Sequence, residues 1–472
     1  MKLLIFGVGV YYDRCKKYFD NHEIVGLLDN NIDKIGNIKD GVMIVAPLEG
    51  IKKEYDKIFI LTPNYIDEIK KQLLDLGVEE NKIFTLYDIK SLLGFSGEKV
   101  PVTIYSNDRQ YTALFSTKMP NIAVMTNSLG INGGDMTVLY VVKILVQLYN
   151  VHVISKMDGP LRRELIDINV PVIIDESIMI KSFDQLPWIR SYDLIFANGM
   201  MFYGLFDTSK QPLDINAIWW IHSSGDMNNH IPVNKLNNIL QRNVSVYGVS
   251  NRAIESFKKL VPSWSIKSLC YGLESKVVSA EVKHPDKIIF AMVGTICKRK
   301  AQDLFLDAIR IIPENKKKKC EFWIIGSAKG ETYADNILKH VESLSYVKYW
   351  GCVDNDYLLK NIYPKINVLV CPSLEDTMPI VCAEAMMYSH PCIVSENTGT
   401  AQYIMPQENG LIVKTGERTD LANKIEWMID NAEKIDEMGK SARRLYEECF
   451  SMEQFKQSLI SIVENKLKGG II

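Results

Sequence analysis

The chain has 472 residues, of which 47% are apolar and 24% are charged, a balance typical of a globular enzyme and not of a disordered or fibrous protein. Its 55 basic and 57 acidic side chains leave a net charge of −2, so no overall positive field favours nucleic acid as a partner. Nine cysteines without a CxxC pair predict reduced thiols in the cytoplasm. The length suggests three domains.

The amino terminus begins with a strand-like run that ends at Gly7 and lacks the length and cleavage site of a secretory signal. The most apolar stretch, Val138 to Tyr149, is too short to cross a bilayer. These features predict a cytoplasmic protein without a transmembrane segment, for which association with the inner face of the cell membrane stays open.

Residues 1–95 alternate short β-branched runs with amphipathic helical stretches, which predicts a small Rossmann-like α/β domain with a parallel sheet. Gly7 and Gly9 follow its first strand and Asp29 ends its second, which approximates a dinucleotide-binding fingerprint. Tyr12 occupies the place of the third glycine, where a bulky ring should impede helix packing. NAD binding, a regulatory or acceptor-recognising role, and a structural or oligomerising role all stay open.

Residues 96–118 are rich in Gly, Ser, Pro and polar side chains, a composition typical of a linker; whether this linker contains one strand stays open. Residues 119–280 and 281–472 then each alternate strands with helices. Two such units in tandem predict two facing Rossmann-like domains with a cleft between them, and the last helix is expected to pack back onto residues 119–280.

The strongest motif is SLEDTMPIVCAEAM, in which a loop with Glu375 and Asp376 leads into a helix with Glu384. Amides at a helix start are unpaired and can donate to phosphate or sugar oxygens, whereas carboxylates can accept from sugar hydroxyls. Capping of a surface helix is the alternative role of these acids.

This segment resembles the acidic E-x7-E signature of family 4 retaining glycosyltransferases, and the resemblance extends from Asn121 to the end of the chain. It implies the GT-B fold and a retaining transfer, without a metal, from a nucleotide diphosphate sugar. It also implies that Glu384 binds the ribose of the donor. Asp376 stands at the first acidic position of the signature, but whether Asp376 or Glu375 contacts the donor sugar stays open.

A basic turn, GTICKRKAQD, follows the predicted strand KIIFAMV. Gly294 allows a tight turn, and Arg299 and Lys300 stand before a helix, where cations can neutralise a leaving diphosphate. Lys300 matches the family's RKG-like turn, whereas Thr295 stands where the family has an arginine. We hypothesise that Arg299 compensates; a solvated basic turn is the alternative.

A glycine-rich loop, TNSLGINGGDM, places Gly130, Gly133 and Gly134 between a strand and a helix, as a phosphate-approaching loop requires. It resembles the first loop of the family, whose backbone approaches the donor diphosphate and sugar. A turn needed only for packing is the alternative.

His222 ends the apolar strand AIWWIH, whose carboxyl end should open into the interdomain cleft. The resemblance implies that it touches the donor sugar, although Ser223 replaces the family's usual acidic neighbour. A satisfied core histidine is the alternative.

Smaller correspondences are Gly326, Gly399 and Thr400, which fit a donor pocket or ordinary packing equally well. The candidate catalytic residues are His222, Lys300, Asp376 and Glu384. The candidate donor-binding residues are Gly133, Gly134, Gly294, Arg299, Lys300, Gly326, Glu375, Asp376, Met378, Ile380, Val381 and Glu384.

Asp354-Asn355-Asp356 has the form of a metal-binding DxD motif, but it precedes a helix, where Asp is a common cap, and no metal is expected. The sequence thus predicts hexosyl transfer without a cofactor from a nucleotide sugar such as a UDP-sugar to a glycan, lipid-linked or protein acceptor, in surface polysaccharide or glycoconjugate biosynthesis. A GT-B epimerase or phosphorylase, a dehydrogenase and a catalytically silent binding subunit are the alternatives.

Overall fold

The computed structural model describes residues 1–62, 65–85, 103–106, 115–131, 133–176, 178, 186–206, 215–223, 231, 233–237, 239, 242–275, 287–328 and 332–469. The chain divides into two compact units, Met1–Val100 and Pro101–Ile472. The boundary predicted after residue 95, most of the predicted linker and the boundary predicted at residues 280–281 lie outside the described residues.

The first unit is a Rossmann-like α/β sheet. Its described strands are β1 (Lys2–Phe6), β2 (Glu23–Leu28), β3 (Ile38–Lys39), β4 (Val42–Val45), β5 (Lys57–Ile60) and β6 (Ile83–Thr85), and its described helices are α1 (Val10–Cys15), α2 (Pro47–Gly50) and α3 (Ile66–Asp75). The strand order is β3-β4-β2-β1-β5-β6, and every pair is parallel except β3–β4. The central strands read as continuous apolar runs because both of their faces are buried.

The first half of the second unit is built on a sheet with the strand order β14-β13-β12-β11-β8-β9-β10-β7. Its described strands are β7 (Thr103–Tyr105), β8 (Asn121–Thr126), β9 (Asn150–Ser155), β10 (Val172–Ile174), β11 (Leu194–Asn198), β12 (Asn216–Ile221), β13 (Val244–Gly248) and β14 (Ile266–Ser268). Its described α-helices are α4 (Gly133–Leu145), α5 (Leu161–Asp167), α6 (Val233–Leu236) and α7 (Asn251–Lys258). Strand β7 lies in the segment predicted as a linker and pairs antiparallel with β10.

The second half of the second unit has a parallel sheet with the order β17-β16-β15-β18-β19-β20. Its described strands are β15 (Ile288–Val293), β16 (Cys320–Ile325), β17 (Val347–Tyr349), β18 (Val368–Cys371), β19 (Cys392–Ser395) and β20 (Gly410–Val413). Its described α-helices are α8 (Gln302–Ile311), α9 (Glu314–Lys317), α10 (Thr332–Glu342), α11 (Asn355–Tyr357), α12 (Ile380–Met387), α13 (Arg418–Asp430), α14 (Ile435–Leu445) and α15 (Met452–Leu467).

The final helix, α15, packs against β12 and α4 of the first half. The ring of Phe455 stacks on Trp220 with the ring centroids 5.7 Å apart. A Cβ at Gly272 would lie 2.5 Å from the Cβ of Phe455, so only glycine allows this approach. The chain therefore returns from the second sheet to the first.

Two further features bear on the predictions. All nine cysteines are free thiols. Among the described helices, none is both long enough and apolar enough to span a membrane.

Candidate functional site

The loops at the carboxyl ends of the two sheets in the second unit meet one another. A Cβ at Gly133, which follows β8, would lie 2.8 Å from the Cδ1 of Ile380 at the start of α12. The hydroxyl of Ser250, which follows β13, donates to the carbonyl of Thr377 at 2.6 Å. Open α/β sheets bind ligands at the carboxyl ends of their strands, so this junction is the candidate site.

We define the acidic loop as residues 374–379, between β18 and α12. The amide of Asp376 donates to the carbonyl of Asn397 at 3.2 Å, and the amide of Gly399 donates to the carbonyl of Asp376 at 2.9 Å. A Cβ at Gly399 would lie 1.7 Å from the carbonyl oxygen of Thr377, so no other residue fits there. The segment after β19 therefore fixes the backbone of the acidic loop.

Asp376 forms ion pairs with both predicted cations. Its Oδ2 accepts from Lys300 Nζ at 2.6 Å and from Arg299 NH1 at 3.0 Å. The carboxylate and the Lys300 ammonium are largely buried, whereas the Arg299 side chain is 54% exposed. Burial alone would raise the pKa of Asp376, but the charges of Lys300 and Arg299 outweigh it and hold that pKa below its usual range.

Lys300 shows the matching behaviour. Burial lowers its pKa, but the Asp376 carboxylate outweighs that effect and raises the pKa above its usual value. Both groups are therefore charged at neutral pH, and with Arg299 the cluster carries one excess positive charge. Such a cluster can attract an anion.

The glycines of the neighbouring turns have a steric role. Gly294 and Gly326, which follow β15 and β16, have φ values of 143° and 150°. A Cβ at Gly326 would lie 1.9 Å from the carbonyl oxygen of Gly294. Thr295, which stands where the resemblance led us to expect an arginine, is exposed, and its hydroxyl lies 3.5 Å from that of Ser327. Of the predicted basic turn, Arg299 and Lys300 reach the acidic loop.

Glu384 lies on α12, and its Oε2 accepts from the hydroxyl of Tyr363 at 2.7 Å. Tyr363 is fully buried, and its carbonyl accepts from His390 Nε2 at 2.8 Å. Burial lowers the pKa of His390 to about 4, so its ring is neutral at pH 7 and its Nε2 carries the proton. Tyr363 thus orients Glu384, a role that no motif in the sequence indicates.

His222 follows β12, and its ring lies against Trp220 with the ring centroids 4.3 Å apart. Burial lowers the pKa of His222 to about 4, so the ring is neutral at pH 7. Its Nε2 is closed off from solvent and has no hydrogen-bond partner among the described residues. A buried polar atom without a partner is costly, which favours a role in contacting a substrate.

Asn198, which the sequence reasoning missed, ends the neighbouring strand β11 and lies opposite Trp220 in the sheet register. Its side-chain nitrogen donates to the carbonyl of Gly134 at 3.3 Å, which fixes the glycine-rich loop. Its Oδ1 is buried and has no partner within the part of the chain that the structure describes. A polar residue at the carboxyl end of an apolar strand is the signal that could have found it.

The remaining predicted donor residues surround the start of α12. Pro379 is the N-cap of this helix and not part of its first turn. Met378 is buried, and its carbonyl accepts from Tyr271 of the first half at 3.4 Å. The carbonyl of Val381 accepts from the Tyr363 hydroxyl at 3.3 Å. Met378 and Ile380 therefore line the junction between the two halves, whereas the Val381 carbonyl bonds within the second half.

Asp354, the first residue of the DxD-like motif, caps the helix α11. Asp354 Oδ1 accepts from the amides of Asp356 and Tyr357, and Asp356 pairs with Lys360. Among the described residues, no three His, Cys, Asp or Glu side chains come together as a metal site.

The residues that approximate a dinucleotide-binding fingerprint in the first unit contact other residues of that unit. The Asp29 carboxylate accepts from Lys34 Nζ and from the amide of Asn31, both at 2.9 Å. The ring of Tyr12, which stands in place of the third glycine, lies in the apolar core. Gly7 has a φ of 96°, and a Cβ there would lie 2.5 Å from the Cγ2 of Thr62, so backbone conformation and packing together explain this glycine.

Comparisons with known proteins agree with this geometry. Residues 276–445 match the family model described as glycosyl transferases group 1, and residues 1–84 match the one described as C2185-like, N-terminal. Spore coat protein SA of Bacillus subtilis is 26% identical over 193 residues, which is 38% of this chain and 49% of that protein. The capsular polysaccharide biosynthesis glycosyltransferase CapM of Staphylococcus aureus is 26% identical over 189 residues, which is 39% of this chain and 47% of CapM.

This chain spans about half the length of these two relatives. Among solved structures, Anabaena Alr3699/HepE in complex with UDP and glucose covers 73% of this chain and 100% of its own, with a TM-score of 0.61 and 17% identity. Residues 276–445 are therefore similar to group 1 glycosyltransferases, and the solved structures share the GT-B fold that the sequence predicts.

Proposed function

We propose that this chain is a family 4 retaining glycosyltransferase that moves a hexosyl group from a nucleotide diphosphate sugar to an acceptor hydroxyl. The observation that carries the proposal is the pairing of Asp376 with Lys300 and Arg299 at the junction of the two halves. Glu384 lies on the helix that follows, and His222 approaches from the other half.

The basic pair serves the leaving group. In the transfer, the bond between the anomeric carbon and the phosphate oxygen breaks, and its electron pair leaves with the diphosphate. Lys300 and Arg299 stabilise that growing negative charge electrostatically, in a site that domain closure shields from water. The acceptor hydroxyl attacks from the same face and passes its proton to the leaving phosphate oxygen, so that the anomeric configuration is retained.

The carboxylates and His222 hold the rest of the donor. Glu384, oriented by Tyr363, accepts hydrogen bonds from the ribose hydroxyls. We assign the contact with the sugar hydroxyls to Asp376 and not to Glu375. The Asp376 carboxylate lies beside the cations that bind the diphosphate, to which the sugar is attached, whereas the Glu375 carboxylate lies near Arg252. The unpaired Nε2 of His222 contacts the sugar from the opposite half.

Substrates follow from chemistry and from the relatives. We take a UDP-sugar as the first donor to test, because the Alr3699/HepE structure contains UDP. The acceptor is a glycan, a lipid-linked glycan or a protein in surface polysaccharide or glycoconjugate assembly, as the name of CapM suggests. We propose that the protein acts in the cytoplasm and that a lipid-linked acceptor would be met at the inner face of the cell membrane.

The test is a panel of UDP-, GDP- and ADP-sugars added to the purified full chain. A donor at 100 times its dissociation constant should add about 2.7 kcal/mol of stability, which a thermal shift detects. Nucleoside diphosphate should then be released only with an acceptor, and chelation with EDTA should leave the rate unchanged. Release without any acceptor, or turnover that stops with EDTA and returns with manganese, contradicts the proposal.

A further inference from the structure

Three consecutive residues at the start of α7, in the first half, reach across to the second half. Ser250 Oγ donates to the carbonyl of Thr377, as described above, and also caps α7 by accepting from the amide of Ala253. The amide of Asn251 donates to Gln402 Oε1 at 2.8 Å. This turn therefore contacts both the acidic loop and the segment after β19.

Arg252 makes the charged part of this contact. Its NH1 donates to Asn397 Oδ1 at 3.2 Å, and its NH2 lies 3.7 Å from Glu375 Oε1. The two side chains of the ion pair are 29% and 30% exposed, so water screens the pair less than it screens a fully exposed one. The Nε of Arg252 is buried and has no hydrogen-bond partner among the described residues.

The acidic loop is thus held from both halves. Arg299, in the second half, donates to the carbonyl of Glu375 and to the carboxylate of Asp376. Arg252, in the first half, holds the Glu375 side chain and also Asn397, whose carbonyl accepts from the Asp376 amide. Arg252 therefore contacts both the residue that precedes Asp376 in the chain and the residue that accepts from the Asp376 amide.

We propose that Arg252 is a positioning residue for Asp376, acting through Glu375 and Asn397, and that it makes the sugar contact of Asp376 depend on the approach of the two halves. The inference rests on the proposed function, in which Asp376 accepts from the donor sugar. The basic turn and Glu384 belong to the second half, so they bind the nucleotide part without Arg252.

The proposal is tested by comparing the affinity for the nucleotide part of the donor with the affinity for the whole donor. The probes are UDP and whichever of UDP-glucose, UDP-galactose and UDP-N-acetylglucosamine binds the wild-type full chain most tightly. With Arg252→Ala, the affinity for UDP should change little, whereas the affinity for the UDP-sugar should fall about tenfold, because a charge-assisted contact is misplaced. Arg252→Lys keeps the charge and should recover part of that loss.

Arg310→Ala is the matched control, because Arg310 also forms a part-exposed ion pair, with Asp307 on the same helix, outside the site. Equal UDP-sugar affinity in Arg252→Ala and wild type overturns the inference. So does an equal loss of UDP and UDP-sugar affinity with a lower melting temperature that Arg252→Lys does not restore, since that is a folding defect. A wild-type chain that binds no nucleoside diphosphate overturns the proposed function itself.

Discussion

Both units of the chain place a glycine with positive φ after a central strand, Gly7 with 96° and Gly294 with 143°, yet the charges around the two turns differ. In the first unit, Asp29 pairs with Lys34, whose side chain is 42% exposed. In the second, Asp376 pairs with Lys300, which is 14% exposed. The same turn on the same kind of sheet therefore does not make the same site.

The difference lies in excess charge. The second-unit cluster holds two cations against one carboxylate. In the first unit, Asp29 already accepts from a lysine and a backbone amide. We therefore expect substitutions in the second unit to impair donor binding or transfer, and matched substitutions in the first unit to leave both unchanged.

Replacing the cations should give the largest effect. Lys300→Ala should lower kcat/KM for transfer by about 100-fold or more, because it removes charge that stabilises the leaving diphosphate. Lys34→Ala, the matched change in the first unit, should leave transfer unchanged. Steady-state release of nucleoside diphosphate measures both, and equal effects of the two substitutions would break the comparison.

Acid should act on the second unit through two buried histidines with a pKa of about 4, and because His222 belongs to the candidate site, the residue to replace is His390. Its pKa of about 4 lies below the unfolded value of 6.5, so the unfolded chain binds more protons between these values and stability falls as the pH falls. From pH 7 to pH 5 this histidine should remove about 2 kcal/mol from the free energy of unfolding. Urea unfolding at both pH values measures the loss, and it should be smaller in His390→Gln; an unchanged loss assigns the acid sensitivity elsewhere.

Glu384→Gln tests whether the carboxylate of the second unit binds the ribose of the donor. Charged hydrogen bonds contribute about 1.5 to 3 kcal/mol, so nucleotide affinity should fall about tenfold or more while the melting temperature without ligand barely moves. Asp29→Asn in the first unit should leave the affinity unchanged. Calorimetric titration with UDP measures both; lower unliganded stability with unchanged affinity would make Glu384 a structural residue.

The smallest effect is expected for Tyr363→Phe, which removes one hydroxyl from Glu384. The loss acts on UDP only through the orientation of the Glu384 carboxylate, so UDP affinity should fall about fivefold, or about 1 kcal/mol. Tyr388→Phe keeps the ring that stacks on Tyr363 and should leave UDP affinity unchanged. If both variants bind UDP as the wild type does, Tyr363 does not orient Glu384.

Local patterns predicted much of this arrangement. The strand periodicities predicted the three sheets, and the acidic loop and the basic turn predicted residues that meet in space, Asp376 with Lys300 and Arg299, because each motif lies at the carboxyl end of a strand. The cap at Asp354 was also predicted correctly, since capping depends only on neighbouring residues.

Contacts between distant parts of the chain could not be predicted in this way. Arg252 and Glu375 come together only because two sheets pack, and nothing in the local sequence of α7 indicates it. Tyr363 reads as an ordinary core aromatic, since its hydrogen bond to Glu384 depends on the packing of α12. Sequence reasoning also left Asp376 and Glu375 undistinguished, because their different partners come from different halves.

The most direct measurement of the central claim is equilibrium binding of UDP, GDP and ADP to three forms of the full chain. These are the wild type, the double variant Lys34→Ala with Asp29→Asn, and the double variant Lys300→Ala with Glu384→Gln. The account predicts that one nucleoside diphosphate binds the first two forms equally and binds the third about 100-fold more weakly or not at all. Equal binding by the second and third forms, or no binding by the wild type, would contradict it.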